Sequence, residues 1–255
     1  MRENVIHPTA IIGKGVTMGE ANIIGPYCVI SGETTIGNGN RFRAFCVIGT
    51  PAEHKDYLSK PWGNVTIGDG NHFSEHVTVH AGTNYGTKIG NNCLFLTKAQ
   101  IGHDCEIFDD VTISCLSVVG GHAVVMQGAN LGLGTMVHQW QVIGAYSMLG
   151  MNSTVTKKSR ILPGKIYAGS PAKLIKVNLI GLTRANVETE KLSDFIELHY
   201  GQQADRHDKE HGHKSLPFKS HDCSFIQPFS FNEGSILNEE IPVTDTFSQY
   251  NFYLS

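Results

Sequence analysis

His103 and Asp104 follow an Ile-Gly pair in the segment TKAQIGHDCEIFDD. Elsewhere the chain places bland turn residues in that slot, as in IGNGN and IGDGN. An imidazole titrates near neutral pH and can take the proton of a hydroxyl as that hydroxyl attacks a carbonyl. A carboxylate can hold the imidazole in one tautomer and stabilise the imidazolium. A backbone N–H, offered most readily at a glycine, can stabilise the oxyanion that develops. Gly121 and His122 in VVGGHAVV, with His138 and Gln139 in VHQW, add groups of the same kinds. Such a set suits acyl transfer from a thioester to a poorly nucleophilic hydroxyl. His and Asp are also metal ligands, but these segments carry no specific ligand spacing, so the expectation is a site without a metal.

The element that would bring these segments together is a repeat. Large apolar residues stand at 6, 12, 18, 24, 30, 36, 42 and 48, at 67, 73 and 79, and then every six residues from Ile89 through Tyr167. The fourth residue after each of these anchors is mostly small, as at Ala10, Cys28, Cys46, Ala99, Cys105, Ala123 and Ser147. This spacing is neither helical nor the alternation of a sandwich strand. It suits an all-β solenoid of very short parallel strands, with three hexads to a triangular coil of eighteen residues. Two interruptions, at 50–64 and 84–88, read as loops leaving the prism. Positions eighteen apart then lie above one another. His103 falls beneath Gly121 and Gln139, Asp104 beneath His122 and Trp140, and Gly102 two coils beneath His138. With an apolar interior, these polar groups are expected to face outward along one edge. The bland alternative is a solvated edge with no chemistry.

The totals exclude several other classes. A content of 40% hydrophobic and 17% charged residues fits a globular chain. A formal charge of −3 provides no footprint for nucleic acid. No apolar run approaches membrane-spanning length. The opening MRENVIHPTA lacks the charged-then-apolar pattern of a signal peptide, so the expectation is a cytoplasmic protein whose six cysteines are reduced.

At this level of detail the sequence resembles a known family. HPTAIIGKGVTMGEANIIGPYCVI, VTVHAGT, IGHDC, GGH, VHQW and VNLIGLTR, within residues 5–184, resemble the hexapeptide-repeat, left-handed β-helix acyltransferases, and among them the UDP-N-acetylglucosamine acyltransferases of lipid A synthesis. The resemblance implies a left-handed parallel β-helix and a homotrimer with clefts between neighbouring prisms. It implies transfer of a 3-hydroxyacyl chain from acyl carrier protein to a sugar 3-hydroxyl, with no bound cofactor. By the same resemblance His103 is the general base, Asp104 its partner and Gly121 the oxyanion donor. His122, His138 and Gln139 match substrate-contacting positions, and Asn178 and Arg184 match residues near the nucleotide. Met151 stands where the family measures acyl length, which implies a short or medium chain. The chain also departs from the pattern: Gln100 replaces a histidine, Ile180 an acidic residue and Ala185 an arginine, while EHKDYL does not cleanly reproduce an Asp-x-Lys pair.

Two other readings stay open. YAGSPAKLIK resembles the end of CoA-dependent hexapeptide acetyltransferases that N-acetylate nucleotide amino sugars, with Lys173 pairing a CoA phosphate. A non-catalytic trimeric scaffold on the same fold is the third. In domain terms, residues 1–176 form the solenoid and 177–255 a C-terminal extension. A helix is expected over about 186–200, with Asn186 as its N-cap, followed by an irregular tail holding His207, His211, His213, His221 and Cys223.

Overall fold

Each hexad supplies one two-residue strand and one corner, and the strands stack in register. A computed structural model describes residues 2–57, 63–83 and 85–187. Among these residues the strands form three sheets of ten, eight and seven members, one per face of a prism. Pairing is parallel at an eighteen-residue step, as in Gln100 opposite Val118 and Val118 opposite Met136. The anchors point inward. Ile89, Phe95, Ile101, Ile107, Ile113 and Val119 are buried, and the series stays buried through Tyr167. Each such aliphatic or aromatic side chain contributes about 1.5–3 kcal/mol on burial. In the first coil Ile6, Ile12 and Met18 are only partly covered.

Identical residues stack into ladders inside this core. Phe42, Phe73 and Phe95 lie ring on ring, with centroids 4.5 and 4.7 Å apart. In one corner column the Asn4 side-chain oxygen accepts from the Asn22 N–H at 2.8 Å. Asn22 does the same for the Asn40 N–H at 2.9 Å, and Asn40 for Asn71 at 2.9 Å. The ladder ends where Asn71 accepts from the Cys93 N–H at 2.8 Å. These amides satisfy backbone donors that the turn would otherwise leave buried and unpaired. Cys28, Cys46, Cys93 and Cys105 are buried free thiols, filling the small inward positions as the repeat implied.

The interruptions have other bounds than the sequence suggested: the first is shorter and the second begins and ends earlier. Thr50 ends the strand Val47–Thr50 and Asn64 begins Asn64–Ile67, so the first loop is 51–63. Thr87 and Lys88 belong to the strand Thr87–Ile89, so the second is 81–86. Strand pairing recruits residues whose apolar phase had already slipped. At the far end the last strand, Lys173–Val177, folds back antiparallel onto Lys165–Ala168, which stops the winding.

A helix that the repeat did not announce follows at Leu179–Arg184, with the Asn178 side chain accepting from the Gly181 N–H. With φ at +52°, Asn186 lies just beyond the C-terminal end of this helix, its N–H bonded to the Thr183 oxygen. The expected helix from 188 onward and the tail lie outside the described residues. No helix among the described residues is long and apolar enough to cross a membrane.

The asparagine column carries a testable load. Asn40 donates to Asn22 and to the Gly68 oxygen, and accepts from the Asn71 backbone and side chain. Asn40→Ala strands those groups in a buried corner and should cost about 2–4 kcal/mol, read as a lower urea midpoint at unchanged m-value.

Candidate active site

Three consecutive corners, following the strands Gln100–Ile101, Val118–Val119 and Met136–Val137, meet on one edge. They carry Gly102-His103-Asp104, Gly120-Gly121-His122 and His138-Gln139-Trp140. Asp104, His122 and Trp140 occupy the left-handed region, with φ of 56°, 59° and 64°. Phe45, Lys98 and Leu116 do the same at other corners, so this conformation belongs to the fold. Its consequence at the site is particular. It breaks the alternation that would send adjacent strand side chains apart, and the Asp104 carboxylate comes round beside the His103 ring. The His103 Nδ1 to Asp104 Oδ2 distance is 2.8 Å.

Asp104 is held from every side. Both of its oxygens accept from the Thr83 N–H at 2.9 Å, Oδ2 from the Thr83 hydroxyl at 2.7 Å, and Oδ1 from the Tyr85 N–H at 3.0 Å. Its own N–H donates to the Thr87 hydroxyl oxygen at 2.9 Å, and that hydroxyl donates to the His80 oxygen at 2.7 Å. A Cβ on Gly82 would fall 2.7 Å from Asp104 Oδ1, so only glycine leaves the carboxylate its room. Burial alone would raise the Asp104 pKa; the hydrogen bonds from His103, from the Thr83 hydroxyl and from the backbone of Thr83 and Tyr85 outweigh it and hold the carboxyl far below the usual range. The group is therefore a fixed anion. It keeps the ring proton on Nδ1 and leaves Nε2 as the basic nitrogen.

Nε2 lies against the neighbouring corner. A Cβ on Gly121 would come within 2.8 Å of it, so the bare glycine backbone sits at the reactive nitrogen. Among the described residues, no backbone oxygen takes the Gly121 N–H. His122 meets the His103 ring edge to face at 4.8 Å, and stacks on Trp140 at 3.7 Å. His138 and Gln139 continue the column and are exposed.

The bland alternative of a solvated edge does not describe the base of this column. The side chains of His103, Asp104 and His122 are 11%, 0% and 11% exposed. The two loops account for this. The second wraps Asp104. The first lays His54 against His103, T-shaped at 5.9 Å. Its Glu53 accepts from Gln100 Nε2 at 2.9 Å and lies 3.6 Å from His80 Nε2. Gln100 is therefore tied to a loop carboxylate at the margin of the site. Glu53, His54, His80, Thr83 and Thr87 were not singled out from sequence, and Trp140 was placed in the column without a role. The interrupted phase marked the two loops but not which side chains in them turn back to the prism.

The other expected residues lie elsewhere in the chain. Met151, 68% exposed, sits on the corner that follows Met148–Leu149, on a different sheet. Asn178 is buried, capping the short helix and donating to the Tyr146 oxygen at 2.9 Å. Arg184 is exposed in that helix's last turn, and Lys173 is exposed on the final strand. No hydrogen bond or ion pair recorded among the described residues joins these four to the His103 cluster.

The β-helix is of the hexapeptide-repeat kind, and the family model for the bacterial transferase hexapeptide, six repeats, matches its residues 15–50. The chain is 38% identical over 193 residues to the acyl-[acyl-carrier-protein]–UDP-N-acetylglucosamine O-acyltransferase of Syntrophobacter fumaroxidans, covering 74% of each protein. It therefore belongs to the acyl-[acyl-carrier-protein]–UDP-N-acetylglucosamine O-acyltransferase family. The protein of the same name from Gloeothece citriformis is 37% identical over 149 residues, 58% of this chain and 53% of that protein. The chain spans about half the length of several curated relatives it matches, at 53%, 57% and 44%. Among solved structures, the UDP-N-acetylglucosamine O-acyltransferase of Moraxella catarrhalis aligns over 81% of this chain and 92% of its own, at 26% identity and a TM-score of 0.63. The fold is thus the left-handed parallel β-helix that the resemblance implied, built on the solenoid that the hexads implied.

Two outcomes follow from this geometry. Gly121→Ala should fold normally, because the Gly121 φ lies outside the left-handed region, yet its Cβ must displace the His103 ring. A reaction that uses His103 Nε2 as its base should fall about 10²–10³-fold in kcat, with little change in KM. For Asp104, a folded pKa below the unfolded value near 4 means that its contribution to stability is complete above about pH 4. That contribution is lost as pH falls toward the folded value. The stability gap between the wild type and Asp104→Asn, measured by urea titration, should accordingly narrow as pH falls below 4.

Proposed function

We propose that this chain transfers a 3-hydroxyacyl group from an acyl-carrier-protein thioester to the 3-hydroxyl of UDP-N-acetylglucosamine. The observation that carries the reading is the His103–Asp104 pair, with Nδ1 2.8 Å from the carboxylate and Nε2 against the Gly121 backbone. The sugar hydroxyl attacks the thioester carbonyl while His103 Nε2 takes its proton. The carbonyl oxygen, now negative, is held by the Gly121 N–H. Collapse of the tetrahedral intermediate breaks the C–S bond, and the imidazolium returns the proton to the departing sulfur. Asp104 remains ionised throughout and compensates the imidazolium charge. His122, His138, Gln139 and Gln100 contact the sugar and its pyrophosphate along the same edge, and no bound cofactor is needed.

The names of the relatives support this donor and this acceptor. So does the charge distribution. Between Val111 and Val187 the chain has no Asp or Glu, while Lys157, Lys158, Lys173, Lys176 and Arg184 are exposed there. That field favours an anionic donor, such as an acidic carrier protein. We further propose a cytoplasmic homotrimer. A cluster on one prism edge needs a facing wall to exclude water, and a neighbouring prism would supply it. The same neighbour would bring Asn178 and Arg184 to the nucleotide and set Met151 at the end of the acyl groove, favouring short or medium chains.

The test is an assay of the purified chain with UDP-N-acetylglucosamine and a chain-length series of 3-hydroxyacyl carrier proteins, alongside acetyl-CoA. Turnover with the carrier-protein donors, falling at least 10³-fold in His103→Ala, is the expected result. Use of acetyl-CoA on an amino sugar would support the N-acetyltransferase in which Lys173 holds the CoA phosphate. No turnover with any donor would support the scaffold.

A further inference from the structure

The catalytic corner brings together more than an acid–base pair. His103, Asp104 and His122 each offer one ligand atom, and the three atoms lie within 4.8 Å of one another. Asp104 Oδ2 is 2.8 Å from His103 Nδ1 and 3.8 Å from His122 Nε2. A tetrahedral ion with bonds near 2.0–2.2 Å sets its ligands about 3.3 Å apart. The two distances to Asp104 Oδ2 lie on either side of that spacing, and with all three atoms within 4.8 Å the His122 ring must swing inward to close the set. Sequence spacing hides the set, because His103 and Asp104 come from one coil and His122 from the next.

We infer that these three side chains form a latent site for a zinc-like divalent ion, and that filling it switches the acid–base pair off. Two imidazoles and one carboxylate suit zinc or cobalt rather than calcium or magnesium, which take oxygen ligands. The groups that would orient the ligands are already present. Thr83 and Tyr85 fix the carboxylate, and Trp140 braces the His122 ring at 3.7 Å. The pocket is also dry enough to strengthen such bonds, with the three side chains at most 11% exposed.

The chemistry of inhibition follows from the tautomer. The proposed reaction keeps the ring proton on Nδ1 and uses Nε2 as the base. An ion bound at Nδ1 displaces that proton to Nε2, with no change in oxidation state. Nε2 then carries a hydrogen and cannot accept the one from the sugar hydroxyl. This consequence rests on the reaction proposed above; the site itself does not.

The test uses the full chain, stripped with a chelator and titrated with Co(II) as a spectroscopic probe. One equivalent should give the visible d–d bands of a four- or five-coordinate ion, lost on adding Zn(II), and saturating Zn(II) should raise the melting temperature. His122→Asn and Asp104→Asn should each weaken Co(II) at least tenfold. A tail variant carrying His207→Gln, His211→Gln, His213→Gln, His221→Gln and Cys223→Ser should retain the bands. In the acyl-transfer assay, free Zn(II) at ten times its Kd should lower the rate about tenfold, reversibly on chelation. The absence of bands, their loss in the tail variant with retention in His122→Asn, or full activity at saturating Zn(II) would overturn the inference. A protein that binds Co(II) as described but transfers no acyl group would instead contradict the proposed reaction alone.

Discussion

A coil of eighteen residues returns the chain to the same edge one strand spacing higher, and everything at the site depends on that registry. Strands of two residues have little stability of their own. Their register is fixed because each inward anchor must meet the anchor below it, and a slip of one residue would turn the apolar set outward. The phenylalanine stack and the asparagine ladder fix the same registry twice over, once by packing and once by hydrogen bonding. The prism is therefore stiff along its axis, and stiffness is what lets His103 from one coil and Gly121 from the next share a fixed geometry.

The site uses this stiffness to hold an ion that would otherwise be unwelcome. A carboxylate with no exposed surface is costly unless hydrogen bonds replace its water. Asp104 receives them from Thr83, Tyr85 and His103, and two of those partners come from a loop that leaves the prism only to fold back on it. Loop and coil thus complete one another. The loop supplies donors that no strand could direct at the corner, and the coil supplies the anion that anchors the loop. The acid–base pair and the latent metal set are two consequences of the same fixed carboxylate.

The architecture was legible in the sequence because the hexad is a direct record of burial. From Ile89 to Tyr167 every sixth residue predicted inside is inside. The column of His103, Gly121 and Gln139 could be read by counting, since strand pairing follows the same count. Depth could not be read. Whether an outward corner is solvated depends on what covers it, and the covering residues, His54 and Thr83, lie in the two segments where the count fails. The short helix was illegible for a related reason. Once the repeat stops at the fold-back strand, six residues are too few to show a period, and only Asn178 acting as a cap marks its start. Nor does one chain say what approaches Met151 or Arg184, because both face away from the prism.

The central claim is that Asp104 fixes His103 in the tautomer whose Nε2 is free to accept a proton. The most direct measurement is a long-range proton–nitrogen correlation spectrum of protein labelled with ring-¹⁵N histidine, assigned by His103→Gln, at a pH where His103 is neutral. The account predicts a protonated Nδ1, a low-field proton on it, and an unprotonated Nε2. A His103 ring with its proton on Nε2, or one that averages between the two tautomers, would contradict it.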